Sequence, residues 1–296
     1  MNSGNQLMKG SEISSLFAMI RPANSVLVGF AVIVGIAVTS HSYHQIFSFR
    51  ALFGFLTGFF VSSFSMVSND IYDVASDSVN QPRRPIPSGS VTVRQAQAFS
   101  IILLVLGLTA SAALGVVTLS IAALFALIGW YYNYQGKKLG LFGNSLVALS
   151  LAIPYVFGSV SLGDYSINLA YILALTSFLA GMGREILKGI ADVEGDQLRK
   201  VRTVAISSGT KTAARLASIF FILAVLTSVL PIVLNLLDGA FLVYTGLIIV
   251  VDVIFIYLAI EVLKIKEEKE SLKLKTVALG GMMLGLVAYL ISGLLA

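Results

Sequence analysis

The chain has 296 residues, 57% of them apolar and only 12% charged, with no cysteine and a formal net charge of +5; its mean hydropathy is +0.90. That balance excludes an ordinary soluble domain, in which roughly 25% of residues are charged, and it excludes disulfides, thiolate metal sites and cysteine nucleophiles. The basic excess reflects membrane topology and not nucleic acid, because no soluble domain is present to carry such a partner.

Apolar stretches lie at about 24–40, 51–68, 96–114, 116–134, 144–162, 166–183, 213–235, 240–263 and 276–295. Each is near the roughly 20 residues that carry a helix across about 30 Å of hydrocarbon. The chain therefore reads as an all-α integral membrane protein, a single domain over residues 1–296 with nine transmembrane helices. The leading "MNSGNQLMKGSEISSLFAMIRP" lacks a compact signal-peptide pattern, so the first span is kept as a helix. An amphipathic lead-in helix on the membrane surface is expected before it, capped by Ser11 or Ser14.

Lys9 and Arg21 precede the first span. Arg83, Arg84 and Arg94 lie between the second and third, and Lys137 and Lys138 between the fourth and fifth. Arg184, Lys188, Arg199, Lys200, Arg202, Lys211 and Arg215 follow the sixth, and Lys264, Lys266, Lys269, Lys273 and Lys275 follow the eighth. Of the 20 basic residues only Arg50 falls at the other end. The positive-inside rule then predicts a cytoplasmic N-terminus, an external C-terminus and cytoplasmic long loops in a multi-pass plasma-membrane protein.

The clustered acids sort to the same end. After the second span, "NDIYDVASDSVNQPRRPIPSG" (69–89) places Asp70, Asp73 and Asp77 at i, i+3 and i+7, one face of a helix, beside Asn69. After the sixth, the stretch at about 184–203 holds Asp192 and Asp196 at i, i+4. Each set follows the second helix of a four-helix stretch, which suggests a duplicated topology with the ninth span appended. Either set alone reads equally as a solvated, turn-forming loop. Two sets at one membrane face repel unless cations intervene. Converging carboxylates suit Mg²⁺, a hard ion commonly bridged to substrate phosphates, and Arg83 or Arg84, Lys137, Lys138 and Lys188 would complete a phosphate's charge balance. The chemistry suggested is diphosphate departure within a membrane.

Other residues carry less. Trp130, Tyr131, Tyr132 and Tyr134 are placed to stabilise a cation through their ring faces or to form an interfacial aromatic belt. His41, His44, Asp164 and Asp238 read as residues of external loops. Asp252, near the middle of the eighth span, is expected to face the bundle interior and take a hydrogen bond from a neighbour. Gly54 with Gly58, and Gly281 with Gly285, read as close helix contacts. A secondary transporter would place its charged site at the bilayer midplane, whereas these acids sit at one end.

The stretch 69–89 closely resembles the first signature, N-D-x-x-D-x-x-x-D, of the UbiA-type intramembrane prenyltransferases, and continues through that family's positions at Asn80, Arg84, Pro85 and Gly89. "DVEGD" resembles the second signature, and "RPAN" at 21–24, "YNYQGKKLGLFGN" at 132–144 and "RTVAISSGTKTAARLA" agree. The resemblance implies a bundle around a central cavity with the active site at the cytoplasmic end. It implies Mg²⁺ held by Asp70, Asp73 and Asp77 and by Asp192 and Asp196. It places Asn69, Arg84, Lys137, Lys188 and, in "RPAN", Arg21 and Asn24 at the substrates, with Tyr131 beside them.

Within the family, "REILKGIADVEGD" most resembles the archaeal digeranylgeranylglyceryl phosphate synthases, with Gly189 where that group usually has an aspartate. The implied reaction moves a geranylgeranyl group from its diphosphate to the hydroxyl of geranylgeranylglyceryl phosphate. Arg21, Arg184, Lys188 and Arg202 are cations beyond those one diphosphate requires, available to a second anionic headgroup. The alternative is an aromatic or ring acceptor of the quinone, haem or chlorophyll type. The expected partners are an isoprenyl diphosphate, a lipid acceptor and membrane lipids.

Overall fold

The computed structural model describes residues 10–166, 168–198, 201–265 and 268–295. Lys9, Arg199, Lys200 and Lys266, which enter the charge asymmetry, lie outside the described residues. The helices are α1 (Gly10–Met19), α2 (Pro22–Ser40), α3 (Phe49–Tyr72), α4 (Val74–Asn80), α5 (Val93–Ala112), α6 (Val116–Tyr134), α7 (Leu141–Ser161), α8 (Leu169–Ala191), α9 (Val193–Leu198), α10 (Val204–Ser208), α11 (Thr210–Ser228), α12 (Leu230–Val233), α13 (Phe241–Glu261) and α14 (Glu268–Leu295). Among the described residues nine helical spans are long and apolar enough to cross a membrane: α2, α3, α5, α6, α7, α8, α11 continued by α12, α13 continued to Lys264, and α14. In hydrocarbon each backbone polar group must be paired within its own segment, and a helix does this without help from neighbours.

The spans outrun the apolar stretches at two places that matter. α3 continues to Tyr72 and α8 to Ala191, beyond the limits of 68 and 183 set by counting apolar residues. Helical hydrogen bonding continues past the first charged side chain wherever that charge finds a partner. The lead-in helix is present as α1, but Ser11 and Ser14 lie inside it and do not precede it. Leu16, Met19 and Ile20 pack into a core with Phe64 and Val67 of α3 and Leu103 of α5, while Ile13 and Phe17 stay exposed.

Two glycines set the closest helix approach. A Cβ on Gly35 of α2 would lie 2.3 Å from the Tyr155 carbonyl oxygen, and one on Gly158 of α7 would lie 2.4 Å from that of Val32. The two backbones therefore touch, and this contact closes the wall between the halves of the bundle. A Cβ on Gly58 would lie 3.0 Å from Gly29 across α2 and α3, and one on Gly281 3.1 Å from Ile254, so both are close helix contacts; one on Gly285 would make only ordinary contact with Val251 at 3.6 Å.

Asp252 faces inward on α13, where the Ser228 hydroxyl meets its two carboxylate oxygens at 2.9 and 3.0 Å. The Tyr244 hydroxyl donates to the Ser228 carbonyl at 2.6 Å. This polar knot joins α11 and α13. At the opposite end from the acid clusters, Asp164 accepts from the Ser166 hydroxyl and amide and from Asn168, and these bonds hold its carboxyl below the usual carboxylate range. His41 and His44 sit exposed in the connection between α2 and α3.

Replacing Gly158 by valine should force α2 and α7 apart, at a cost of about 1–3 kcal/mol or more because backbone rather than a side chain is in the way. Thermal melts in detergent should show a clear loss for Gly158→Val and little change for Gly285→Ala.

Candidate active site

Each acidic stretch straddles a helix break. α3 ends at Tyr72, Asp73 stands at the break, and α4 begins at Val74; α8 ends at Ala191, Asp192 stands at the break, and α9 begins at Val193. The amide of Asp77 still donates to the Asp73 carbonyl, and that of Asp196 to the Asp192 carbonyl, both at 2.8 Å. The aspartates thus stand in helices or at the breaks between them, and the matching breaks after the second and sixth spans fit the duplicated topology.

The break gives Asp73 a different cation from Asp70 and Asp77. Asp70 and Asp77 are buried and share Arg84, whose Nη1 lies 2.6 Å from Asp77 and 3.3 Å from Asp70. Arg21 reaches Asp70 at 2.8 Å and the Asn69 side-chain oxygen at 3.2 Å. Asp73 pairs with Lys137 from the turn after α6. Two buried carboxylates on one arginine are tolerable only while that arginine stays, since removing one partner of a buried pair costs about 3–5 kcal/mol.

Local sequence explains the aim of these cations. After Asn80 the chain hooks back: the Arg84 amide donates to the Gln81 carbonyl, Val91 to Pro85 and Gly89 to Ile86. Ile86 and Val91 bury beneath the hook, and Gly89 takes a φ of 76°, where a side chain would be strained. A capping box between Thr92 and Gln95 then starts α5. Arg21 occupies a left-handed backbone position, φ 47°, just before α2. Such a conformation costs about 1–3 kcal/mol in a non-glycine residue, and here it holds the guanidinium over Asn69, Asp70 and the Met66 sulfur.

Asn133 was not singled out by sequence and organises this cluster. It is 2% exposed, donates to the Ser65 carbonyl at 2.9 Å and accepts from Asn69 at 3.1 Å. Asn69 in turn donates to Asp73 at 3.0 Å. One buried amide on α6 thereby fixes the end of α3.

Below the cluster lies a cavity of about 430 Å³ between α2, α3, α6, α7 and α8. Val28, Val32, Phe125, Leu151, Pro154 and Phe157 form much of its apolar wall. Pro154 lacks the amide that would bond the Ser150 carbonyl within α7, and both residues line the cavity. Arg21, Asn69, Tyr132, Asn133, Glu185 and Lys188 close its polar end. The charges of Glu185, Asp73 and Asp196 all act on the Tyr132 hydroxyl, so the two acidic stretches meet around this end.

The other expected residues fall as follows. Lys188 lines the cavity and lies 3.4 Å from Glu185, and Arg184 pairs with the same carboxylate at 2.9 Å. The Arg202 amide donates to the Lys138 carbonyl, at 3.4 Å, and its own carbonyl packs over Gly140, tying the second acidic stretch to the turn that carries Lys137. Arg83 is exposed, and the hook delivers Arg84 instead. Asn24 is exposed in the first turn of α2, outside the cavity lining. Tyr131 packs edge-on against Phe142, while Tyr132 enters the cavity. Trp130 stacks on Tyr134 and donates to the Tyr72 hydroxyl.

Residues 28–288 match the UbiA prenyltransferase family. The chain belongs to that family. It is therefore a membrane prenyltransferase, as the two acidic signatures led one to expect. The digeranylgeranylglyceryl phosphate synthase of Archaeoglobus fulgidus is 34% identical over 279 residues, covering 94% of each chain. That of Methanosphaera stadtmanae is 31% identical, covering 93% of this chain and 98% of its own. A solved structure described as giving insight into digeranylgeranylglyceryl phosphate synthase in membranes superposes with a TM-score of 0.83 at 30% identity, over 96% of this chain and 99% of the other. A UbiA homologue from A. fulgidus, bound to geranyl diphosphate and Mg²⁺, shares the fold at 15% identity with a TM-score of 0.65, over 93% of this chain and 99% of its own.

The donor set fits a hard cation, since carboxylate and amide oxygens are what Mg²⁺ takes. Among the described residues, however, no three acidic side chains converge on one point, and three of the aspartates face Arg21, Arg84 and Lys137. Asn133→Ala should free Asn69 from α6 and loosen Asp73. Supporting residues of this kind are worth about 10–100-fold in metal affinity or activity. The Mg²⁺ concentration giving half-maximal prenyl transfer should rise on that scale while expression and membrane insertion stay normal.

Proposed function

We propose that the protein transfers a geranylgeranyl group from its diphosphate to the hydroxyl of geranylgeranylglyceryl phosphate, forming an ether bond of archaeal membrane lipids. The observation that carries this reading is the union of an apolar cavity with a cation-rich, acid-rich end, in a chain aligned along 94% of its length with a synthase of that name. An isoprenoid tail suits the wall formed by Val28, Phe125 and Phe157. A diphosphate suits the end where Arg21 and Lys188 stand.

In this proposal Asp70, Asp73 and Asp77 hold one Mg²⁺ and Asp192 and Asp196 another. Bound there, the metal neutralises the charge that develops on the departing diphosphate. Arg21, Arg84 and Lys137 neutralise the carboxylates in the structure and would be the donors to phosphate oxygens with a metal held by those carboxylates. Asn69 orients the same oxygens. The wall excludes water, which would otherwise quench the allylic cation, and Tyr132 presents its ring to the cavity. Lys188 and Arg184, beyond the first cluster, serve the acceptor's phosphate. The residue that departs from the archaeal pattern, Gly189, faces Thr203, where an added Cβ would make ordinary contact at 3.4 Å.

The charge asymmetry supports a cytoplasmic location for this end. A cysteine introduced at Ser78 or Ser207 should be labelled only from the cytoplasm and one at Gly163 only from outside; the reverse pattern would separate the site from cytosolic diphosphate.

Purified protein with labelled geranylgeranyl diphosphate and Mg²⁺ should prenylate geranylgeranylglyceryl phosphate and leave both its dephosphorylated form and 4-hydroxybenzoate unreacted. Asp73→Asn or Asp192→Asn should abolish the reaction without loss of folded protein. Equal use of the dephosphorylated ether would remove the phosphate-reading role, and near-wild-type activity in both variants would remove the metal assignment.

A further inference from the structure

Prenyl transfer to an alcohol releases one proton, and none of the roles above receives it. Among the described residues three charged side chains line the cavity, Arg21, Glu185 and Lys188, and Glu185 is the acid among them. It is 6% exposed. Its carboxylate oxygens face Arg184 at 2.9 Å and Lys188 at 3.4 Å, and its charge acts on the Tyr132 hydroxyl, another lining group. The aspartates of the first cluster are differently placed. Asp70 is engaged by Arg21 and Arg84, Asp77 by Arg84 and Asp73 by Lys137, and none of the five signature aspartates lines the cavity.

We propose that Glu185 is the base that takes the acceptor's hydroxyl proton, an assignment that rests on the prenyl-transfer reading above. The hydroxyl oxygen bonds to C1 of the allylic chain. The C1–O bond to diphosphate breaks and its electron pair leaves with the diphosphate. The proton passes from the hydroxyl oxygen to a carboxylate oxygen of Glu185. Arg184 and Lys188 hold that carboxylate at the cavity wall. A carboxylate suffices as the base, because an alcohol oxygen already bonded to a carbocation is far more acidic than a free alcohol. Lys188, with 54% of its side chain exposed, links the pair to water for release of the proton.

Geometry also separates this role from simple support of the diphosphate. Glu185 lies within α8, more than a turn before the Asp192 break, on the cavity side, where an acceptor hydroxyl meets the allylic carbon. A carboxylate serving only to position Lys188 and Arg184 for the acceptor's phosphate would raise the acceptor concentration needed and leave the rate at saturating acceptor intact, whereas loss of the base lowers that rate.

The two steps can be read apart with geranylgeranyl diphosphate carrying ¹⁸O in its bridging position. Scrambling of the label into non-bridging positions reports reversible ionisation, and ether product reports capture by the acceptor. In Glu185→Gln, scrambling should persist within about threefold of wild type while the rate of ether formation at saturating acceptor falls by about 100-fold or more, the scale of lost general base catalysis. Glu185→Asp should retain scrambling and recover part of the ether yield. Persistent scrambling also shows that the variant site is assembled. Parallel loss of scrambling and ether in both variants, or unchanged ether formation in Glu185→Gln, overturns the assignment. Wild-type protein that scrambles no label and forms no ether sinks the prenyl-transfer reading itself, and this assignment with it.

Discussion

The structure turns on mutual neutralisation of acids and bases at the mouth of an apolar bundle. Asp70, Asp73 and Asp77 would repel one another, and two of them are buried. Arg21, Arg84 and Lys137 hold them together, each from a different part of the chain. Arg21 comes from a strained residue before α2, Arg84 from the hook after α4, and Lys137 from the turn after α6. Packing of these elements is thereby tied to charge balance. Such pairs contribute little net stability, because desolvation offsets most of the attraction. Their value lies in specifying one arrangement of three elements around the end of α3.

That arrangement suits the proposed reaction because the same groups have two uses. Carboxylates paired with cations would be a resting state for a site that, on the proposed reaction, receives both a metal and a polyanion. Asn133 and Asn69 keep the end of α3 in register while partners exchange. The contact of Gly35 and Gly158 keeps the apolar wall tight on the far side. Asp252 and Ser228 tie together the other half of the bundle, away from the chemistry.

Much of this was legible in the sequence, for physical reasons. Nine apolar stretches of bilayer length have few alternatives to helices, and acids spaced along a helix at the end of a span demand cations. The inward-facing Asp252 with its hydroxyl partner was legible because hydrocarbon forbids an unpartnered carboxylate. Glu185 lies inside the stretch "REILKGIADVEGD", but the spaced aspartates and the cations carried the pattern there, and only its burial in α8 beside the cavity marks it out. Asn133 carries no charge and no motif spacing that marks it as buried; only the approach of α3 and α6 gives it partners. The breaks at Asp73 and Asp192 were hidden as well, since the i, i+3, i+7 spacing reads as an uninterrupted face.

The central claim of the proposal is that anion binding would wait on metal binding, because Arg21, Arg84 and Lys137 are paired with the aspartates that would hold the metal. Calorimetric titration of the detergent-solubilised protein with inorganic pyrophosphate, with and without Mg²⁺ and corrected for Mg²⁺–pyrophosphate association in solution, tests it directly. The account predicts pyrophosphate affinity at least about 10-fold tighter with Mg²⁺, and by reciprocity an equal gain for Mg²⁺ when pyrophosphate is present. Equal pyrophosphate affinity in the two conditions would contradict it.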